Sequence, residues 1–88
     1  MGKVSVTIRV LPDDAGIDPE NFVGMIKGII PEGVQLRGYQ ISDIAFGLKA
    51  LLFNVLMDDR SGGVEELNSS IEKMDGVGSV EVVDLTLI

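Results

Sequence analysis

The chain has 88 residues, 45% of them hydrophobic, and 14 acidic against seven basic side chains give a net charge of −7. That length and apolar content make one domain, residues 1–88, with a packed core and little stability in reserve. There is no cysteine, histidine or tryptophan, which excludes disulfides, iron–sulfur clusters, thiol catalysis and His-based acid–base or nucleophilic work, and leaves only carboxylates for a zinc or copper site.

Residues 3–11 place Val4, Val6, Ile8 and Val10 on one face and Lys3, Ser5, Thr7 and Arg9 on the other. This period of two predicts a strand covered on one side and wet on the other. Pro12-Asp13-Asp14-Ala15-Gly16 supplies turn chemistry. Asp18-Pro19-Glu20 then reads as a helix start, with Asp18 as cap, Pro19 at the first helical position and Glu20 at the positive end of the dipole. Phe22, Ile26, Ile29 and Ile30 share the expected buried face. Gly24 and Gly28 each cost about 1 kcal/mol in a helix interior and, four apart, make a smooth stripe suited to close packing.

Pro31-Glu32-Gly33 ends the helix, and a second strand runs from Val34 to Asp43. Its apolar parity changes from Val34 and Leu36 to Tyr39 and Ile41 across Gly38, the pattern of a β-bulge. Leu48 to Met57 is apolar at nearly every position, which predicts a central strand. After the loop Asp58–Gly63, Val64, Leu67, Ile71 and Met74 form an amphipathic helix with Glu65 and Glu66 in its first turn and Lys73 in its last. Val77 to Ile88 is the last strand, apolar at Val80 and Val82 and then on the other parity at Val83, Leu85 and Leu87. Two strand–helix–strand units of this kind predict an α+β, ferredoxin-like βαββαβ sandwich: a four-stranded antiparallel sheet with both helices on one face. Right-handed crossovers put the first and third strands in the centre.

The basic residues Lys3, Arg9, Lys27, Arg37, Lys49, Arg60 and Lys73 are scattered, with no adjacent pair. Phosphate neutralisation needs a basic patch, so no direct nucleic-acid partner is expected; an acidic chain is suited to a basic protein surface. No apolar run approaches a membrane span and the N-terminus carries no targeting pattern, so no membrane contact and a cytoplasmic location are expected. The acidic pairs Asp13-Asp14, Asp58-Asp59 and Glu65-Glu66 lie in loops or a first helical turn and read as solvated charge, leaving no metal or cofactor site. Gly76-Val77-Gly78 precedes a strand where a dinucleotide fingerprint must precede a helix, and is set aside.

Two stretches stand out against this background. Ile44-Ala45-Phe46-Gly47-Leu48-Lys49-Ala50-Leu51 is an apolar loop entering a strand that begins at a lysine. Loops usually carry polar residues because water must satisfy their backbone. Phe46 therefore either folds back onto the core or is presented to a partner as an aromatic anchor, and pattern leaves both open. The terminal Leu85-Thr86-Leu87-Ile88 either packs within the domain, the expectation here, or is kept for a partner.

Val4 to Pro12, Ile30-Pro31-Glu32-Gly33, Ile44-Ala45-Phe46-Gly47-Leu48-Lys49-Ala50-Leu51, Gly62-Gly63-Val64-Glu65 and Gly76-Val77-Gly78-Ser79-Val80-Glu81 resemble the archaeal elongation factor 1-beta family. The similarity covers essentially the whole chain, and Ala-Phe-Gly-Leu-Lys-Ala-Leu is its most specific piece. The resemblance implies a guanine nucleotide exchange factor, not an enzyme, acting on the GTPase elongation factor 1-alpha during translation elongation. It implies that Phe46 falls where the eukaryotic factor places an aromatic in the partner's second domain, with Gly47 and Lys49 in the same motif. Leu87 and Ile88 fall where the eukaryotic factor approaches the nucleotide's magnesium site. There the eukaryotic branch carries a penultimate lysine; this sequence has Leu87, and no basic residue follows Lys73.

The exchange reading expects a monomer. A rival reading, a ferredoxin-like regulatory module that dimerises and binds a small ligand, expects an oligomer. An acylphosphatase-like enzyme would need an anion-binding loop with arginine after the first strand, and Leu11-Pro12-Asp13-Asp14-Ala15-Gly16 is acidic.

Overall fold

The computed structural model describes residues 2–14, 16–31, 33–44, 47–58 and 63–88. The element order is β1 (Lys3–Pro12), α1 (Glu20–Ile29), β2 (Gln35–Asp43), β3 (Lys49–Asp58), α2 (Gly63–Glu72) and β4 (Val77–Leu87). The strands form one antiparallel sheet in the order β2-β3-β1-β4, so β1 and β3 are central, as expected of the ferredoxin-like fold. Among the described residues no helix is long and apolar enough to cross a membrane.

Strand alternation builds the core. Val4, Val6, Ile8 and Val10 of β1 and Leu51, Phe53, Val55 and Met57 of β3 are buried on the side that receives Phe22, Val23 and Ile26 of α1 and Leu67 and Ile71 of α2. No polar or charged side chain among the described residues is buried in this core. The opposite face of the sheet stays open, with Ser5, Thr7, Arg9, Leu52, Asn54 and Leu56 half-buried.

At the start of α1, Asp18 Oδ1 accepts from Glu20 N at 3.0 Å and Pro19 has helical φ and ψ, so the expected cap forms, with the helix assigned one residue later. The buried face differs from expectation. Val23 is buried and Ile29 is exposed, because α1 is rolled towards Val23 about the Phe22–Ile26–Ile30 line. Gly24 and Gly28 are exposed, and a Cβ at either would meet nothing; the smooth stripe is not used for packing within the chain. Lys73, expected in the last turn of α2, lies one residue beyond the helix.

Both edge strands carry an irregularity where their apolar parity changes: the bulge expected in β2, and one in β4 that was not expected. In β2 the register skips Arg37, so that Leu36 faces Val55 while Gly38 faces Asn54. In β4 it skips Val83, so that Val82 faces Ile8 while Asp84 faces Thr7. Directly opposed residues share a face. The extra residue therefore returns Leu85 and Leu87, which face Val6 and Val4, to the helix side with Val80 and Val82. A second shift falls at Pro12, which has no N–H for the ladder. There Gly78 sits so close that an added Cβ would lie 2.9 Å from the Pro12 carbonyl oxygen.

Candidate partner interface

The register places the two unusual stretches at opposite ends of the sheet. Asp43 and Lys49, which bound the β2–β3 loop, lie at the end where Val10 faces Leu51; Leu87 lies at the other, facing Val4. Ten residues of β1 at about 3.3 Å each separate these ends by about 30 Å, within a molecule 42 Å long.

At the loop end, Ile44 N donates to Leu48 O at 2.9 Å, closing the turn. Gly47 has φ +75, a conformation that glycine adopts without the steric cost of a side chain. Lys49 opens β3, is exposed, and forms no ion pair among the described residues. By alternation it falls on the same side as buried Leu51, which brings it beneath the start of α1. Gly47 and Lys49 there line one wall of a cleft of about 250 Å³ whose other wall is Gly16, Ile17, Asp18 and Pro19. Phe46, with Ala45, lies outside the described residues.

At the terminus end, Leu87 is 66% exposed and Ile88 69%, and Leu85 beside them is 50% exposed. This corrects the expectation that the chain's end packs within the domain. β4 is an edge strand, and Leu85 and Leu87, which face Val6 and Val4, lie on the helix-facing side without being covered there. The backbone is nonetheless anchored: Ile88 N donates to Lys3 O at 2.9 Å, and Lys3 Nζ pairs with Asp58 Oδ1 at 3.0 Å. Apolar side chains here stand on a fastened main chain.

Leu87, Ile88, Gly47 and Lys49 are the contact residues expected from sequence, and Leu85 belongs to the terminal stretch that stands out there; Asp18 is expected only as a helix cap, and Ile17 is not expected at all. The cleft residues come from a loop about thirty positions away and carry no local signal. Of the acidic pairs, Asp13, Asp14, Glu65 and Glu66 are exposed, Asp58 pairs with Lys3, and Asp59 lies outside the described residues.

Solved structures share this fold. The ACT domain from the GTP pyrophosphokinase of Chlorobium tepidum superposes with a TM-score of 0.66 over 92% of this chain and 99% of that one, at 15% identity, a likeness of fold alone. In sequence, residues 5–88 match the EF-1 guanine nucleotide exchange domain. The chain is 45% identical over 87 residues to elongation factor 1-beta of Thermofilum pendens, covering 98% of this chain and 96% of that protein. To elongation factor 1-beta of Archaeoglobus fulgidus it is 41% identical over 88 residues, the full length of both. The chain belongs to the elongation factor 1-beta family, built on the EF-1 guanine nucleotide exchange domain.

Proposed function

We propose that residues 1–88 act as a single exchange domain that releases GDP from elongation factor 1-alpha in the cytoplasm by gripping it at both ends of the sheet. The observation that carries this reading is the match of residues 5–88 to the exchange domain. The geometry supports the two-ended form of it. The loop end offers Gly47, the cation Lys49, which has no ion pair among the described residues, and, next in the chain, Phe46; the terminus end offers Leu87 and Ile88, joined by Leu85. A rigid span of about 30 Å between them is long enough to touch two domains of one partner.

Exchange of this kind makes and breaks no covalent bond. A partner that binds the nucleotide-free GTPase more tightly than the GDP-bound form weakens GDP binding by the same factor, by thermodynamic linkage. The aromatic and the cation hold one part of the GTPase. The exposed apolar terminus presses on the part that holds the phosphates and their magnesium ion. With Leu87 where the eukaryotic branch has lysine, this end acts by steric wedging of the binding loops and not by supplying a positive charge.

A monomer fits this role. Both edge strands carry a bulge, at Arg37 and Val83, and bulged edges resist strand-to-strand pairing between copies. The test is release of fluorescent GDP from a matching archaeal elongation factor 1-alpha. Catalytic amounts of this protein are expected to accelerate release at a rate that saturates with its concentration; release at the spontaneous rate overturns the proposal.

A further inference from the structure

The two bulges flank the same transverse row of the sheet. Gly38 faces Asn54, Asn54 faces Thr7, and Thr7 faces Asp84, one residue from each strand in the order β2-β3-β1-β4. Arg37 is inserted beside this row at one edge and Val83 at the other. In the middle of the row, Asn54 Nδ2 contacts Ser5 Oγ at 3.0 Å, Thr7 Oγ1 at 3.0 Å and the Val6 carbonyl oxygen at 3.2 Å. Two amide hydrogens are thus shared among three acceptors on the neighbouring strand. The ladder between the central strands is regular throughout, so the irregularities lie in the edge pairings: one beside this row at each edge, and a further shift at Pro12, at the loop end of the sheet.

Neither extra residue is needed to build the core. Without Val83 the pairs Val82–Ile8, Asp84–Thr7 and Leu85–Val6 would stand unchanged, and without Arg37 so would Leu36–Val55 and Gly38–Asn54. What an inserted residue does change is local geometry: it bends its strand and increases the right-handed twist there. The row lies between the Lys49 end and the Leu87 end, so extra twist at this place rotates one end relative to the other.

We propose that the bulged row Gly38–Asn54–Thr7–Asp84, with the inserted Arg37 and Val83, sets the angle between the two partner-contacting ends, making Asn54, Arg37 and Val83 positioning residues for exchange although they lie at neither end. The inference rests on the two-ended exchange reading. Two contacts on one rigid body reinforce each other only when geometry lets both engage at once; a sheet with the wrong twist can seat either end but not both.

The experiment is a coupling measurement. GDP release is followed for the parent, the Val83 deletion, the variant lacking Leu87 and Ile88, and the combination of the two changes. Removing Leu87 and Ile88 is expected to raise the half-saturating concentration about tenfold in the parent but less than about twofold in the Val83 deletion, because there the terminus is already disengaged. Asn54→Ala keeps the chain length, removes only open-face hydrogen bonds, and is expected to show the same loss of coupling, so the test stands even if the deletion does not fold. Size-exclusion chromatography separates this role from edge protection: if the bulge only blocks pairing between copies, the Val83 deletion dimerises while its monomer exchanges normally, and the proposal falls. Independent, multiplicative effects of the terminus and Asn54→Ala overturn it as well. A parent protein with no exchange activity overturns the two-ended reading itself, whereas an active parent with multiplicative variants overturns the bulged row alone.

Discussion

At the loop end of the sheet the main chain is held by its own geometry, through the Ile44–Leu48 hydrogen bond and the positive φ of Gly47, and it presents a cation, Lys49, at a cleft. At the terminus end the main chain is held by its neighbour β1, through the Ile88–Lys3 hydrogen bond, and it presents the apolar side chains Leu85, Leu87 and Ile88, exposed by half or more. The first arrangement suits recognition: a charge and a turn of defined shape discriminate among partners. The second suits displacement, since exposed apolar side chains gain most where they enter a site that excludes water. One small domain offers two unlike exposed ends because a four-stranded sheet keeps its ends far apart, with the packed core between them.

The sharpest way to break this comparison is Phe46→Ala. As the recognition anchor, the ring accounts for about 2 kcal/mol or more of partner affinity, about a thirtyfold rise in half-saturating concentration, with the urea midpoint unchanged. A ring that belonged to the core would instead lower the protein's own stability by about 3–5 kcal/mol and leave the affinity of the folded fraction intact. Urea unfolding alongside the exchange assay separates the two outcomes.

Removing Leu87 and Ile88 tests the other end. Both side chains are mostly exposed and the ladder loses its last bond, so stability is expected to fall by about 1 kcal/mol or less. Exchange is expected to fall about tenfold, the size of effect about 1.4 kcal/mol of binding free energy produces. Truncated protein that releases GDP at the parental rate would mean that the end is ordinary edge-strand packing.

The smallest expected effect is that of Lys49→Ala. An exposed cation at an interface rim typically changes the association rate and its salt dependence more than the residence time. Exchange is expected to slow severalfold at low ionic strength and approach the parental rate at high salt. The melting temperature should not change, because Lys49 has no ion pair among the described residues. A drop in melting temperature would move its role from recognition to structure.

Much of this architecture was legible without coordinates. Alternation in β1 separates Val4, Val6, Ile8 and Val10 from Ser5, Thr7 and Arg9, and the buried and half-buried positions follow that alternation residue by residue. Asp18-Pro19-Glu20 capped α1 because a cap depends on neighbours in the chain. The parity break at Gly38 announced the bulge in β2 because strand side chains alternate strictly, so one inserted residue shows as a change of face; the same signature stood at Val83, where the pairing shows a second bulge. The roll of α1 was not legible: Val23 and Ile29 lie on opposite flanks of the helix at equal angles from Ile26, and only contact with the sheet chooses between them.

By itself, then, the sequence determined the class of fold, the strand order, the faces of each strand and the absence of cysteine and histidine chemistry, since these follow from local periodicity, handedness and composition. Tertiary structure alone decided that the terminal Leu85, Leu87 and Ile88 stay uncovered, that Lys49 faces Asp18 across a cleft, and that the two bulges fall beside one row through Asn54. Each of these depends on which distant segments meet, and the free energy of such meetings is set by packing between elements, which no local pattern encodes.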